Sequence, residues 1–335
     1  MRMARGVLAH SLADTTRRGY RSAVSSLARF CEKYRLTLKF PVSADTLCLW
    51  MADRSRSLTY SSIRVYLHGI ATSHVEMGLP SPIADCPIVW RMYKAVKRLQ
   101  GSQAARKRLP ITTAILDLLE RHQDVSSTAG LAVRAVMWLN TCGLLRSGES
   151  AVRDRDSTVL RRSHLRFMSE AKEELRGNDI CRAAYMVVHL ARSKTDPFRA
   201  GTEVVVADTR AVSAMLAYLA AADDLRPDDP LFRSERGWAL TVKELVAHTQ
   251  RMLVAAGVAD AHAYLGHSFR RGGATSLHLA GVPDSVIRIM GRWHSFAFAR
   301  YIDTPLELLI TAGRSMICTR GKRVAFAGED FKPWA

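Results

Sequence analysis

Apolar residues recur at three- and four-residue spacing along the first hundred residues, which is the period of one face of an α-helix. Polar turn signals separate the periodic stretches. Ser43 precedes one of them, a Gly78-Leu79-Pro80-Ser81-Pro82 turn follows another, and Asp85 stands before Cys86-Pro87. The pattern predicts four helices, at Thr15–Tyr34, Ala44–Arg54, Ser61–Met77 and Pro87–Leu99. We therefore expect a small helical bundle over residues 1–100.

Residues 101–110 are polar and basic and end in a proline, which predicts an interdomain linker. Beyond it, Ala184–Leu190 and Thr202–Val206 are β-branched runs on either side of a turn-forming connection, and they predict a hairpin with Lys194 near its tip. Residues 163–169 have a mixed pattern that remains unassigned. Helical spacing returns at residues 112–122, 130–141, 211–221, 242–256, 269–280, 283–290 and 305–316.

The expected fold is mainly α with a small β-sheet, of the α+β class. Its domains are a helical domain at residues 1–100, the linker at 101–110, a second domain at 111–320 and a tail at 321–335. A chain of 335 residues with 48% hydrophobic content is long enough to bury a core in each domain.

The charge of the chain indicates a polyanionic partner, and nucleic acid is the first candidate. The formal net charge is +18, and the first 110 residues hold 19 basic against 6 acidic side chains. Arg106, Lys107 and Arg108 in the linker are expected to follow DNA phosphates. The alternative is a highly charged solvated surface. Charge alone does not distinguish this from nucleic-acid binding, whereas sequence motifs can.

Cysteine spacing and hydropathy narrow the class of protein. The six cysteines lie far apart without a Cys-x-x-Cys pair, which disfavours a zinc site and a disulfide framework and fits a reducing compartment. No stretch approaches the roughly 20 apolar residues that span a membrane. We expect an intracellular protein without a metal, a cofactor or a membrane segment.

The most informative residues for chemistry lie between Gly266 and Asp303. His267 and Arg270 are three residues apart, so both can face a phosphate from one helical turn. The indole of Trp293 donates a hydrogen bond without accepting one, and the phenol of Tyr301 can act as a nucleophile.

Cleavage of DNA without a metal needs a nucleophile, cations that hold the phosphate oxygens and an acid for the leaving 5′ oxygen. The planar guanidinium groups of Arg146 and Arg270 suit the phosphate clamp, because each can bind two oxygens and stays charged. Lys194 suits the acid, since an ammonium can lose its proton when its surroundings lower its pKa. His267 either donates to a phosphate oxygen or takes the proton of Tyr301, and the sequence leaves both open.

Each residue also has a structural interpretation. Arg146 and Glu149 are spaced for an ordinary ion pair on a helix surface, and a lysine in a turn such as Lys194 is usually a solvated charge. His267 can simply mark a helix N-terminus, and Trp293 can be a core residue. Tyr301 can belong to an aromatic packing stripe with Phe296 and Phe298. The combination in one chain order is what favours chemistry.

This combination resembles the tyrosine recombinase (phage integrase-like) family. Its signature of Arg, Lys, His-x-x-Arg, His or Trp, and Tyr falls here on six residues, with Glu149 in the place of a supporting acidic residue. The six are Arg146, Lys194, His267, Arg270, Trp293 and Tyr301. The amino-acid sequence at residues 193–199 and 291–302 is most similar to that of eukaryotic mobile-element recombinases of the Crypton and DIRS-like type.

The chain departs from many bacterial members at one point. Those members have Gly-His where this chain has Gly291-Arg292-Trp293, and the neighbouring His294 competes with Trp293 for the role. We assign Trp293 to the site and His294 outside it.

The resemblance implies a core-binding domain and a catalytic domain that close on double-stranded DNA as a C-shaped clamp. It also implies a covalent 3′-phosphotyrosyl intermediate and four protomers that exchange two duplexes through a Holliday junction, in the nucleus if the source is eukaryotic. An apolar stripe at residues 306–316 docks either on a neighbouring protomer or on its own domain. Integration or excision of a mobile element is the expected outcome. The target sequence and delivery of Tyr301 in cis or in trans stay open.

Two other functions remain. A type IB topoisomerase uses nearly the same chemistry to relax DNA, and a domesticated DNA-binding protein keeps the fold without cutting. Chain length and the similarity to the Crypton and DIRS-like sequences favour recombination over relaxation. The presence of every residue of the catalytic signature favours cutting over binding alone. A nonspecific architectural protein would explain the charge but not Lys194 or Tyr301.

Overall fold

The computed structural model describes residues 11–101, 108–153, 159–191, 200–293 and 299. The chain divides into two compact units, Met1–Arg106 and Lys107–Ala335. The predicted helix at residues 305–316 and the predicted tail at 321–335 lie outside the described residues.

Four helices form the first unit, and they confirm the four that the sequence predicts to within one residue at each end. They are α1 (Asp14–Lys33), α2 (Ala44–Arg54), α3 (Tyr60–Glu76) and α4 (Pro87–Leu99). Local chemistry sets three of the starts. The hydroxyl of Ser43 accepts from the backbone N–H of Thr46 at 3.2 Å, Thr59 caps α3 in the same way, and Pro87 opens α4.

The core of the first unit lies where α1 packs on α3 and α2 packs on α4. Leu27, Trp50 and Leu67 are fully buried in it. Gly69 of α3 lets the two backbones approach, because a Cβ there would lie 3.0 Å from the Cα of Tyr20 in α1. The bundle is therefore held by apolar packing between helices whose ends are fixed locally.

The second unit is built around one buried helix. Its helices are α5 (Thr113–Arg121), α6 (Thr128–Cys142), α7 (Ser147–Ser150), α8 (Thr209–Ala221), α9 (Val242–Ala255), α10 (Ser268–Leu279) and α11 (Asp284–Met290). Helix α6 is buried along nearly all of its length, and it packs against both α8 and α10. The predicted helices in this range are confirmed, whereas the four-residue α7 is too short to give a periodic signal.

A small antiparallel sheet completes the second unit. Its strands are β1 (Leu165–Met168), β2 (Glu174–Leu175), β3 (Tyr185–Leu190) and β4 (Thr202–Val206), in the order β2-β1-β3-β4. Strands β3 and β4 form the predicted antiparallel pair, with Val188 opposite Val204. The unassigned residues 163–169 contain β1, which follows a single 3₁₀ turn at Arg162–His164. The expected α+β class is confirmed.

Two features are absent from the described residues. None of the helices there is both long enough and apolar enough to cross a membrane. Over those same residues, no group of three or more His, Cys, Asp or Glu side chains is arranged to hold a metal ion.

Candidate active site

Three segments that are far apart in the chain meet at the N-terminal end of α10. They are the turn at 143–146 that leads into α7, residues 266–270, and residues 291–293 after α11. The Ser147 hydroxyl donates to the Gly266 carbonyl at 2.5 Å. Nη1 of Arg270 donates to the Leu144 carbonyl at 2.6 Å, and its Nη2 donates to the Gly291 carbonyl. Arg270 therefore joins all three segments.

Two adjacent glycines allow α10 to come this close to its neighbours. A Cβ on Gly272 would lie 1.6 Å from the carbonyl oxygen of Ile111, and one on Gly273 would lie 2.1 Å from that of Thr141. Either distance is far below van der Waals contact. The absence of a side chain at these two positions therefore lets the N-terminal half of α10 lie against α6 and against the segment before α5.

Arg146 and Glu149 form the i, i+3 ion pair that their spacing allows. Nη1 of Arg146 lies 2.7 Å from Oε1 of Glu149, and the Arg146 backbone N–H donates to Oε2 at 2.9 Å. The Glu149 side chain is only 6% exposed, so this is not the ordinary surface pair of the alternative interpretation. Burial alone would raise the pKa of Glu149, but the charges of Arg292 and Arg146 outweigh it and hold the pKa below its ordinary value.

His267 stands immediately before α10, within an electropositive group of side chains. Burial lowers the pKa of its imidazole to about 4, and four neighbouring guanidinium groups act in the same direction. These belong to Arg108, Arg153, Arg146 and Arg270. At neutral pH the imidazole is therefore uncharged, with one nitrogen that donates and one that accepts. It can take either of the two roles that the sequence left open.

Arg270 and Trp293 are stacked. Arg270 is fully buried, and its Cζ lies 4.2 Å from the centroid of the Trp293 ring. Trp293 also packs on the small cluster of Leu144, Ala274 and Ile287. Trp293 therefore packs both on apolar residues and on Arg270. Arg270 here donates to two backbone carbonyls, those of Leu144 and Gly291.

Sequence reasoning missed two arginines of this region. The Arg292 side chain is largely buried and pairs with Glu149, with its Nη2 3.0 Å from Oε2. Arg153 packs on Gly148 and adds to the positive charge around His267. Arg292 lies between two residues of the motif, and in the sequence it marks only a departure from the family pattern. No local signal marks Arg153.

The remaining predicted residues divide into two groups. Arg108 is exposed and close enough to His267 to lower its pKa, so it belongs to the same electropositive region. Lys194, Tyr301, His294, Arg106 and Lys107 lie outside the described residues. Their roles remain predictions from the sequence.

The fold is the mainly helical fold with a small antiparallel sheet found in tyrosine recombinase structures. A XerH site-specific recombinase bound to a palindromic difH substrate, in a post-cleavage complex, superposes with a TM-score of 0.62 at 15% identity, over 90% of this chain and 79% of that one. The Tn1549 transposon integrase in complex with transposon right end DNA gives 0.57 at 12% identity, over 92% and 95%. A lambda integrase dimer bound to a COC′ core site gives 0.54 at 12% identity, over 90% and 75%.

A sequence relative points the same way. An integrase/recombinase XerD homologue of Selenomonas ruminantium is 25% identical over 283 residues, which are 80% of this chain and 75% of that protein. No family model matches the chain. The chain is thus similar in sequence to an integrase/recombinase and shares its fold with tyrosine recombinases.

Proposed function

We propose that the protein is a site-specific DNA recombinase that cuts and rejoins DNA through a 3′-phosphotyrosyl intermediate. The observation that carries the proposal is the convergence of Arg146, His267, Arg270 and Trp293 at one end of α10, in surroundings that are positive enough to depress the pKa of His267. A phosphate is the ligand that such a group of arginines favours.

Each of these side chains has a role in the proposed site. Arg146 holds a non-bridging oxygen of the scissile phosphate, and Glu149 holds Arg146. Arg270 ties the three segments together and brings its charge to the same end of the helix. Neutral His267 exchanges a proton or a hydrogen bond with the reacting groups. Trp293 covers Arg270 and excludes water from it.

The reaction itself uses two residues outside the described part of the chain. The Tyr301 oxygen attacks phosphorus and loses its proton to a base, for which His267 is the candidate. The bond from phosphorus to the 5′ oxygen breaks, and Lys194 protonates that oxygen as it leaves. The new phosphotyrosyl bond conserves the energy of the broken one, so a 5′ hydroxyl of a second strand can reverse the step.

The chemistry is tested with nicked suicide substrates, from which a short 5′-hydroxyl fragment diffuses away after cleavage. Wild type and Tyr301→Phe are incubated without divalent metal with such substrates, made from the DNA that flanks the gene. We expect a protein-DNA adduct on a denaturing gel with wild type and none with Tyr301→Phe, because phenylalanine lacks the attacking oxygen. Tyr185→Phe, which removes a half-buried hydroxyl from β3, is the matched control and should form the adduct.

The outcomes separate the alternatives. An adduct with Tyr301→Phe would refute the nucleophile assignment. Salt-sensitive binding by wild type without an adduct would favour a DNA-binding protein that does not cut. An adduct accompanied by relaxation of supercoiled DNA, without exchange between two duplexes, would favour a type IB topoisomerase activity.

The finer parts of the proposal follow from the sequence. We infer integration or excision of a mobile element as the biological reaction, in a homotetramer that joins two duplexes, and a Crypton or DIRS-like subtype. The proposed domains are a core-binding domain at residues 1–100 and a catalytic domain at 111–320, joined by the basic linker. The similarity to the Tn1549 transposon integrase, which was solved with transposon DNA, supports the mobile-element part.

A further inference from the structure

Arg292 holds an unusual position for a charged residue. It follows the C-terminal end of α11 in a left-handed backbone conformation, with φ of 54°, and its side chain is only 10% exposed. Non-glycine residues adopt this conformation at a cost of about 1–3 kcal/mol, so it persists only where surrounding contacts enforce it. Its backbone N–H donates to the Ile289 carbonyl at 3.0 Å, and the contacts of its side chain add to this hydrogen bond.

The guanidinium of Arg292 makes four hydrogen bonds, all to the site or to its own turn. Nη1 donates to the carbonyls of Gly143 at 3.3 Å and Met290 at 3.2 Å. Nη2 donates to the carbonyl of Leu144 at 3.1 Å and to Oε2 of Glu149 at 3.0 Å. Three of these four acceptors belong to residues 143–149, which also carry Arg146.

The Leu144 carbonyl is shared by two buried arginines. It accepts from Arg270 at 2.6 Å and from Arg292 at 3.1 Å. Leu144 itself is fully buried and left-handed, with φ of 46°. Together the two arginines hold the carbonyl of a strained residue, and that residue lies only two positions before Arg146.

Glu149 is the second connection between Arg292 and Arg146. Its Oε1 accepts from Nη1 of Arg146 at 2.7 Å, and its Oε2 lies 3.0 Å from Nη2 of Arg292. A buried carboxylate between two guanidinium groups is fixed from both sides. Removal of Arg292 would take away one of the two guanidinium groups that fix Glu149, so both Glu149 and Arg146 would gain freedom.

We infer that Arg292 is a positioning residue that sets the location of the Arg146 guanidinium, through Glu149 and through the Leu144 carbonyl. The inference rests on the proposed function, in which Arg146 holds the scissile phosphate. A purely structural role would be served at least as well by an apolar side chain, because burial of a guanidinium carries a desolvation penalty. Burial does lower the pKa of Arg292, in keeping with that penalty.

The test compares two substrates that differ at the scissile phosphate. In a methylphosphonate, a methyl group replaces one charged oxygen, so the reacting centre has less negative charge for Arg146 to hold. Single-turnover adduct formation is measured at saturating protein with phosphodiester and methylphosphonate suicide substrates. The variants are Arg292→Ala, Arg292→Lys and, as the reference for loss of the clamp, Arg146→Ala.

On the phosphodiester we expect Arg292→Ala to slow adduct formation by about 100-fold, the order of loss that follows from a small displacement of a catalytic group. The Kd for DNA should remain unchanged. Arg292→Lys should be slow as well, since lysine keeps the charge but loses the fork that reaches several acceptors. On the methylphosphonate both Arg292→Ala and Arg146→Ala should react at the wild-type rate, because the missing clamp no longer matters there.

Arg251→Ala serves as the matched control, because it removes an exposed arginine of α9 that bonds His248. It should behave like wild type on both substrates. Urea unfolding of each variant identifies loss of the fold.

The inference is overturned if Arg292→Ala cleaves the phosphodiester like wild type. It is also overturned if its defect persists on the methylphosphonate, since that would be a structural effect without a link to the clamp. If wild type forms an adduct with neither the phosphodiester nor the methylphosphonate, the proposed function itself is overturned.

Discussion

At the scale of single residues, the protein keeps a neutral histidine among cations. The ordinary pKa of a histidine is 6.5, and burial with the neighbouring arginines lowers that of His267 to about 4. Between these two pH values the unfolded chain binds the proton and the folded chain does not. His267 therefore contributes stability that is complete above pH 6.5 and is lost as the pH falls towards 4.

Replacement of His267 by glutamine should remove this part of the pH dependence. We expect the free energy of unfolding to fall less between about pH 7 and about pH 5 in His267→Gln than in wild type, because glutamine takes up no proton in either state. Urea unfolding at the two pH values measures both proteins. An equal fall in both would show that His267 is not the group responsible.

At the scale of elements, the site depends on how closely α10 approaches its neighbours. A Cβ on Gly273 would lie 2.1 Å from the Thr141 carbonyl oxygen and 2.7 Å from the Leu144 side chain. Gly273→Ala should therefore push α10 away from α6 and destabilise the second unit by about 1–3 kcal/mol or more, the usual cost of overpacking. Denaturant unfolding measures this loss.

Gly19 in α1 is the matched control for this substitution. It is also helical, but a Cβ there would meet no heavy atom within 4 Å. Gly19→Ala should stabilise the protein by about 0.5–1 kcal/mol, because alanine loses less backbone entropy in a helix. Comparable destabilisation by both substitutions would contradict the close-packing explanation.

At the scale of the whole molecule, the excess of positive charge is unevenly distributed along the chain, and α4 holds part of it. Arg91, Lys94 and Arg98 are exposed at positions that share one helical face. Replacement of all three by glutamine should weaken binding to any DNA sequence and reduce the salt slope, log Kd against log salt, by up to about 3, because each phosphate contact contributes about 0.9.

A second triple variant controls for net charge. Lys172, Arg176 and Arg182 are exposed in the region of β2, and both arginines pair with acidic side chains. Their replacement by glutamine removes the same formal charge but should change the salt slope much less. Equal changes in the two variants would show that total charge, rather than the face of α4, governs DNA binding.

Interactions between close neighbours in the sequence determine much of the fold without any long-range contact. The bounds of α2 and α4 are those predicted, because Ser43 caps one helix and Pro87 opens the other within a few residues of chain. The β3–β4 pair was predictable for a similar reason, since both strands are short β-branched runs. These elements depend on propensities and hydrogen bonds between close neighbours in the sequence.

The sequence also identified residues of the candidate site by their types and order, and the structure brings Arg146, His267, Arg270 and Trp293 together. Only the tertiary structure revealed Arg292 as a partner of Glu149, since the two are 143 positions apart and neither has a local pattern that specifies the other. The same holds for Gly272 and Gly273. Glycine is required at these positions because the carbonyls of Ile111 and Thr141 lie against them, and only the tertiary structure shows this. Helix ends and strand runs are thus decided by nearby residues, whereas the pairing of buried charges and the close approach of backbones are decided by packing between distant ones.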